Sequence, residues 1–136
     1  GAVETEPAFE LGGRAVGLSC RLAEAQPLET FVARMAEVLE GREPLVVGSG
    51  PQRVQRFGIV TGRSPKSVEE AVERRLDLFV TGEPAEEVVH LAREEGIHFV
   101  AAGHHATERF GVRALAEHIE STHGVETRFF DVPNPV

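Results

Sequence analysis

Phe99-Val100-Ala101-Ala102-Gly103-His104-His105-Ala106-Thr107-Glu108-Arg109 is the stretch that decides the fold. An apolar run is closed by a glycine, two histidines follow, and a carboxylate stands four residues after the first of them. The run reads as a buried strand. Beyond it Val112, Leu115, Ala116 and Ile119 fall at i, i+3, i+4 and i+7, which is one helical face. The spacing predicts a helix from His104 or His105 to about Thr122. A helix turns about 100° per residue, so His104 and Glu108 lie on one side, one turn apart. Their stripe runs into Val112, Leu115 and Ile119, which places the pair inward, over the end of the strand. An imidazole and a carboxylate so spaced can bind one metal ion. The plain alternative is a helix-capping histidine beside a surface carboxylate. His105, one turn before Arg109, reads as a rim residue.

Working outward, Ile97–Ala102 is preceded by a helix from Pro84 to Glu95, stopped by Gly96. Before it, Asp77-Leu78-Phe79-Val80-Thr81-Gly82-Glu83 reads as a strand and its exit. Ser64-Pro65 starts a helix to about Arg75, and Phe57–Gly62 is a further strand. This alternation predicts βαβ units and a largely parallel or mixed sheet flanked by helices, an α/β fold. The strands ending at Val80 and Ala102 then point the same way and open at the carboxyl edge, where such sheets place ligands. That topology brings Thr81, Gly82 and Glu83 beside His104 and Glu108, although more than twenty residues separate them.

The remainder is less regular. Residues 1–12 read as a weakly ordered lead-in. Arg14–Leu22 reads as a strand, Ala23–Gln26 as a loop, and the stretch from Pro27 to Gly41 as a helix. Pro44–Val47 is a short strand, Arg53–Arg56 a connection, and Glu126–Val132 a last strand before Pro133-Asn134-Pro135. One α/β domain over 1–136 is expected, with 1–12 as lead-in, 13–56 as an irregular βαβ part and 57–136 as the βα-repeat part. Gly48-Ser49-Gly50-Pro51 could cradle a phosphate, but it lacks the lysine and spacing of a P-loop and reads better as a tight turn. His90, His98, His118 and His123 receive no chemistry.

The chain has 136 residues, enough for one core, and 41% of them are hydrophobic. No apolar run approaches a membrane span. Gly1-Ala2-Val3-Glu4 does not read as a signal peptide. Cys20 is the single cysteine, which excludes a disulfide framework and a cysteine-based zinc site and suggests a reducing cytoplasm. The net charge of −8 disfavours sequence-independent nucleic-acid binding, which depends on Lys and Arg at phosphates.

The run Val80-Thr81-Gly82-Glu83, then His90, then Gly96 to Arg109, then Phe130-Asp131-Val132-Pro133-Asn134-Pro135 resembles the end of the Nif-three-like family, the GTP cyclohydrolase 1 type 2 homologues. The resemblance implies one lobe of a two-lobed, intertwined α/β fold, a two-metal site between the lobes, and assembly into hexameric rings. By that pattern His104 and Glu108 are metal ligands, and Thr81, Gly82 and Gly103 line the cleft. The divalent ions expected are zinc, manganese, iron or magnesium, two per complete site. Family members are roughly twice this length, and their other ligands, a His-His pair and an Asp, come from an amino-terminal half. No such pair precedes Gly48 here, so the chain is similar to the carboxyl-terminal half only. The implied function is part of a metal-dependent hydrolase acting on a nucleotide, with Glu83 and His105 as candidate proton-moving groups and the site incomplete in this chain. The alternative is a non-enzymatic metal-binding module in a ring oligomer.

Overall fold

The computed structural model describes residues 2–132 and 134. Its strands are β1 (Ala2–Leu11), β2 (Arg14–Pro27), β3 (Leu45–Val47), β4 (Arg53–Ile59), β5 (Leu78–Thr81) and β6 (His98–Ala101). Its helices are α1 (Leu28–Val38), α2 (Val68–Glu73), α3 (Glu86–Glu95) and α4 (His104–His123), with a short 3-10 turn at Pro65–Ser67 before α2. The strands form one mixed sheet in the order β1-β2-β4-β5-β6-β3. Only β4, β5 and β6 run parallel, and β1, β2 and β3 join by antiparallel pairing.

The parallel centre follows from the local sequence. Leu78-Phe79-Val80-Thr81 and His98-Phe99-Val100-Ala101 are buried along their whole length, as strands covered on both faces must be. On one face, Phe79, Phe99 and Ile97 pack with Val68 and Ala71 of α2 and Val88 and Ala92 of α3. On the other, Leu78, Val80 and Val100 pack with Ala106 of α4, and Phe31 and Met35 of α1 rest against that cluster. Phe31 meets Phe57 edge-on at 4.9 Å between centroids. Gly96 closes α3 in the left-handed conformation at φ 66°, which an L side chain would resist.

The amino-terminal part departs from expectation. The stretch 1–12 is no loose lead-in over its described residues, because Ala2–Leu11 is an edge strand with Ala8 and Phe9 buried. Ala23–Gln26 is not a loop but the continuation of β2, whose register against β4 shifts between Arg21 and Gln26. Arg53–Arg56 belongs to β4. Bulges let a strand keep its pairing while it bends, and local alternation does not reveal them. The last predicted strand is absent: Glu126–Val132 has irregular backbone. Of the ending, Pro133 and Pro135 lie outside the described residues.

Gly48–Pro51 is a turn at the amino edge of the sheet, away from the cleft. A Cβ at Gly50 would stand 2.7 Å from Asp77 O and from His98 N, so backbone packing explains the glycine. His98, buried at the start of β6, pins that turn. Its Nε2–H donates to Pro51 O at 2.7 Å and its Nδ1 accepts from Gly50 N at 3.0 Å.

Candidate functional site

Three chain segments meet at the carboxyl edge of the parallel strands: the turn after β4, the turn after β5 and the start of α4. Backbone bonds weld them together. Gly82 N donates to Gly62 O at 2.8 Å, and Gly103 N donates to Gly82 O at 2.8 Å. Two buried hydroxyls reinforce the join. Thr107 Oγ1 accepts from Gly62 N at 3.1 Å and donates to Gly103 O at 2.9 Å. Thr81 Oγ1 accepts from Ser64 N at 3.2 Å and lies 3.2 Å from Gly62 O, to which it donates. The glycines allow segments to approach where a Cβ could not fit. At Gly82 a Cβ would lie 2.7 Å from His104 Cα and 2.5 Å from Gly62 O.

The welded edge carries Glu83, His104, His105 and Glu108, which line a cleft of about 400 Å³ together with Asn134. His104 Nδ1 is hydrogen-bonded to Glu83 Oε1. A carboxylate only accepts, so Nδ1 carries the hydrogen. On the far side of the ring, Nε2 lies 3.2 Å from Glu108 Oε2. Arg63 Nε lies 3.4 Å from the second oxygen of Glu83. The hydrogen bond to Glu83, with both carboxylate charges nearby, raises the His104 pKa above its ordinary value against a smaller opposing effect of burial.

This geometry states a chemical demand. With Nδ1–H committed to Glu83, a neutral His104 points its Nε2 lone pair at the Glu108 carboxylate. Two electron-rich groups then face each other at 3.2 Å. A proton on Nε2 relieves the repulsion, and so does a cation between them. Zinc takes nitrogen and oxygen donors at about 2.0–2.2 Å, so two neighbouring ligands on one ion end about 3.4 Å apart. His104 and Glu108 fit that spacing, and Glu83 holds the ring as an outer carboxylate holds a ligating histidine. Among the described residues, no group of three or more His, Cys, Asp or Glu is arranged to hold an ion.

Topology had placed Glu83 beside His104, and the structure brings them into contact. Against the expectation from spacing, the stripe is not inward. Val112 and Leu115 are each 58% exposed, while α4 buries Ala106, Thr107 and Arg109. Periodicity identifies an apolar face but not what covers it. Arg63, Thr107 and Asp131 also carried no role in the sequence reading. Asp131 Oδ1 accepts from His105 Nε2 at 2.9 Å. That hydrogen bond, with Arg109 and Arg113 nearby, holds the Asp131 carboxyl below the usual carboxylate range. Its only sequence signal was its place in the Phe-Asp-Val-Pro-Asn-Pro ending, where it reads as a strand residue.

Fold and site together define an α/β domain with a histidine–carboxylate centre at the carboxyl edge of its parallel strands. The family model for Duf34/NIF3 (NGG1p interacting factor 3) matches residues 3–135, and the chain belongs to that family. It is 41% identical over 97% of its length to a Pseudomonas aeruginosa protein named GTP cyclohydrolase 1 type 2 homolog, covering 52% of that protein. The Haemophilus influenzae protein of the same name is 34% identical over 98% of the chain and is covered over 53% of its length. The solved structure of protein ybgI, of unknown function, superposes with a TM-score of 0.89 at 36% identity, covering 98% of this chain and 52% of that one. A Thermus thermophilus protein superposes at 0.83 with 32% identity, over 100% of this chain and 52% of that one. The chain thus spans about half the length of the relatives it matches. No helix among the described residues is long and apolar enough to cross a membrane.

Proposed function

We propose that this chain carries part of a dinuclear divalent-metal hydrolase centre acting on a nucleotide, with His104 and Glu108 as ligands and the remaining ligands supplied from outside the chain. The observation that carries the reading is His104 Nε2 opposite Glu108 Oε2 at 3.2 Å with Nδ1 already committed to Glu83. A bound ion supplies a Lewis acid that activates water. Glu83 orients the His104 ring, fixes its tautomer and keeps Nε2 available. Thr81, Gly82 and Gly103 hold the turns together so that these side chains need no reorganisation on binding. His105, on the cleft wall, is the group placed to exchange a proton with a bound molecule.

The other ligands fit a second lobe of the family fold, from an amino-terminal half or from a neighbouring copy in a hexameric ring. The exposed stripe Val112 and Leu115, continuous with the ligand pair on α4, supports a docked partner there. It also favours the second reading, a metal-binding interaction module without turnover. Cys20 is buried and its thiol pKa is raised by burial, so it is unreactive and compatible with a reducing cytoplasm.

Zinc or manganese titration by calorimetry tests the metal reading. The chain should bind the ion, and His104→Ala should weaken binding at least tenfold; equal affinity in both proteins would sink the assignment. Turnover on a nucleotide panel by the two-lobed protein then separates hydrolase from module. Affinity should also fall in acid. Because Glu83 raises the His104 pKa, the proton competes for Nε2 from a higher pH than in a free imidazole, whose pKa is about 6.5. Without metal the sign is the usual one for a raised histidine. Protonation stabilises the fold below the unfolded pKa, and that contribution fades as pH rises through the folded value. Metal affinity independent of pH across this window would exclude Nε2 as a ligand atom.

A further inference from the structure

Asp131 stands on the irregular segment that follows α4 and returns to the cleft. One of its oxygens accepts from His105 Nε2 at 2.9 Å. The other lies 3.3 Å from Arg109 Nη1 and 3.6 Å from Arg113 Nη2. Arg109 is no ordinary surface cation. Its side chain is only 7% exposed, and the same Nη1 also lies 3.0 Å from Glu40 Oε2. Its Nε and Nη2 are buried and have no hydrogen-bond partner among the described residues. Leaving a buried donor unpaired costs about 1–3 kcal/mol. The fold therefore tolerates a poorly satisfied guanidinium whose one bonded nitrogen bridges two carboxylates, and one of the two, Asp131, backs the cleft-lining His105. Arg113 adds a second hold on this segment, with its guanidinium 4.6 Å from the Phe129 ring centroid.

A histidine whose Nε2–H is given to a carboxylate keeps its lone pair on Nδ1. We propose that Asp131 is a positioning residue, which fixes His105 in the Nε2–H tautomer and leaves Nδ1 as the acceptor for an O–H or N–H of a molecule bound in the cleft. The neighbouring His104 is fixed the opposite way, with Nδ1–H to Glu83 and Nε2 turned to Glu108. Two adjacent imidazoles are thus held in opposite tautomers by different carboxylates. One is dedicated to the ion-binding pair and one to hydrogen-bond acceptance. A carboxylate that takes one ring N–H orients the imidazole and fixes which nitrogen keeps its lone pair. What occupies the cleft rests on the metal-site reading; the tautomer of His105 does not.

Long-range proton–nitrogen NMR on the uniformly labelled chain in alkaline buffer reads the tautomers directly, with His105→Gln identifying the His105 signals. The wild-type chain should show His105 with unprotonated Nδ1 and protonated Nε2. Asp131→Ala should lose this preference and give a mixture. Arg113→Ala, which loosens the segment without removing the His105 partner, should keep it. A wild-type His105 carrying its hydrogen on Nδ1, or an unchanged tautomer in Asp131→Ala, would overturn the proposal. So would loss of the preference in Arg113→Ala to the same extent as in Asp131→Ala, since Asp131 would then serve only to anchor the segment. Failure of zinc binding in calorimetry leaves these spectra unaffected, so the two readings fail separately.

Discussion

Phe9→Ala should destabilise the domain by about 3–5 kcal/mol, the usual cost of truncating a buried phenylalanine. Phe9 is 1% exposed on the edge strand β1, with its ring 5.2 Å from that of Phe79 in the central sheet. Two glycines make room for it: a Cβ at Gly17 or at Gly58 would come within 2.9 Å of the Phe9 ring. The backbone pays for the placement. Phe9 adopts φ 63°, a left-handed conformation unusual for a bulky residue. Glu70 of α2 holds it there, accepting from Phe9 N at 3.0 Å and Glu10 N at 3.3 Å. Arg74 Nε in turn donates to Glu70 Oε1 at 2.7 Å. Alanine gains nothing from the same strained φ and leaves a void over Gly17 and Gly58, which have no side chains to fill it. A domain of this size has about 5–15 kcal/mol to lose. Urea denaturation measures the effect; a loss below about 1 kcal/mol would mean that the hairpin is an appendage and not part of the core.

Gly82→Ala should damage fold and site together. The new methyl would meet Gly62 O at 2.5 Å, His104 Cα at 2.7 Å and Gly103 O at 3.0 Å, all of them backbone. Flexible side chains can step aside, but three welded backbone segments cannot. Overpacking of this kind costs about 1–3 kcal/mol and sometimes more. Relief must come from moving α4 away from the turn after β5, which separates His104 from Glu83. Metal affinity should therefore fall at least tenfold in a protein that remains folded, read by calorimetry beside a urea titration. Wild-type stability with wild-type affinity would show that the junction is loose and that preorganisation is not what Gly82 provides.

Local patterning carried much of the chain. The largely apolar runs at Leu78–Thr81 and His98–Ala101 with intervening helical periodicity specify buried parallel strands, because strands covered on both faces carry apolar side chains on both. From that topology alone the exit after β5 had to lie beside the start of α4, which is how Glu83 meets His104 across 21 positions. The i, i+4 spacing of His104 and Glu108 needed only the helix.

Other features were decided by contacts distant in sequence. No local rule indicates that Ala2–Leu11 pairs with β2, since its pairing rests on a plug ring, two missing Cβ atoms and a carboxylate from α2. Nor does Leu45-Val46-Val47 announce that it will add antiparallel to β6 at the far edge of the sheet. The apolar stripe of α4 was legible as a stripe, yet its exposure depends on what stands opposite, and that is a property of the assembled molecule. Asp131 became a site residue only when the segment after α4 folded back onto His105, Arg109 and Arg113. By itself the sequence determined the strand–turn–helix unit and the one-turn spacing of His104 and Glu108, because period and spacing act within a few residues. Tertiary structure decided the carboxylate partners of the two histidines, the buried guanidinium and the closure of the cleft, because hydrogen-bond partners are chosen by distance in space.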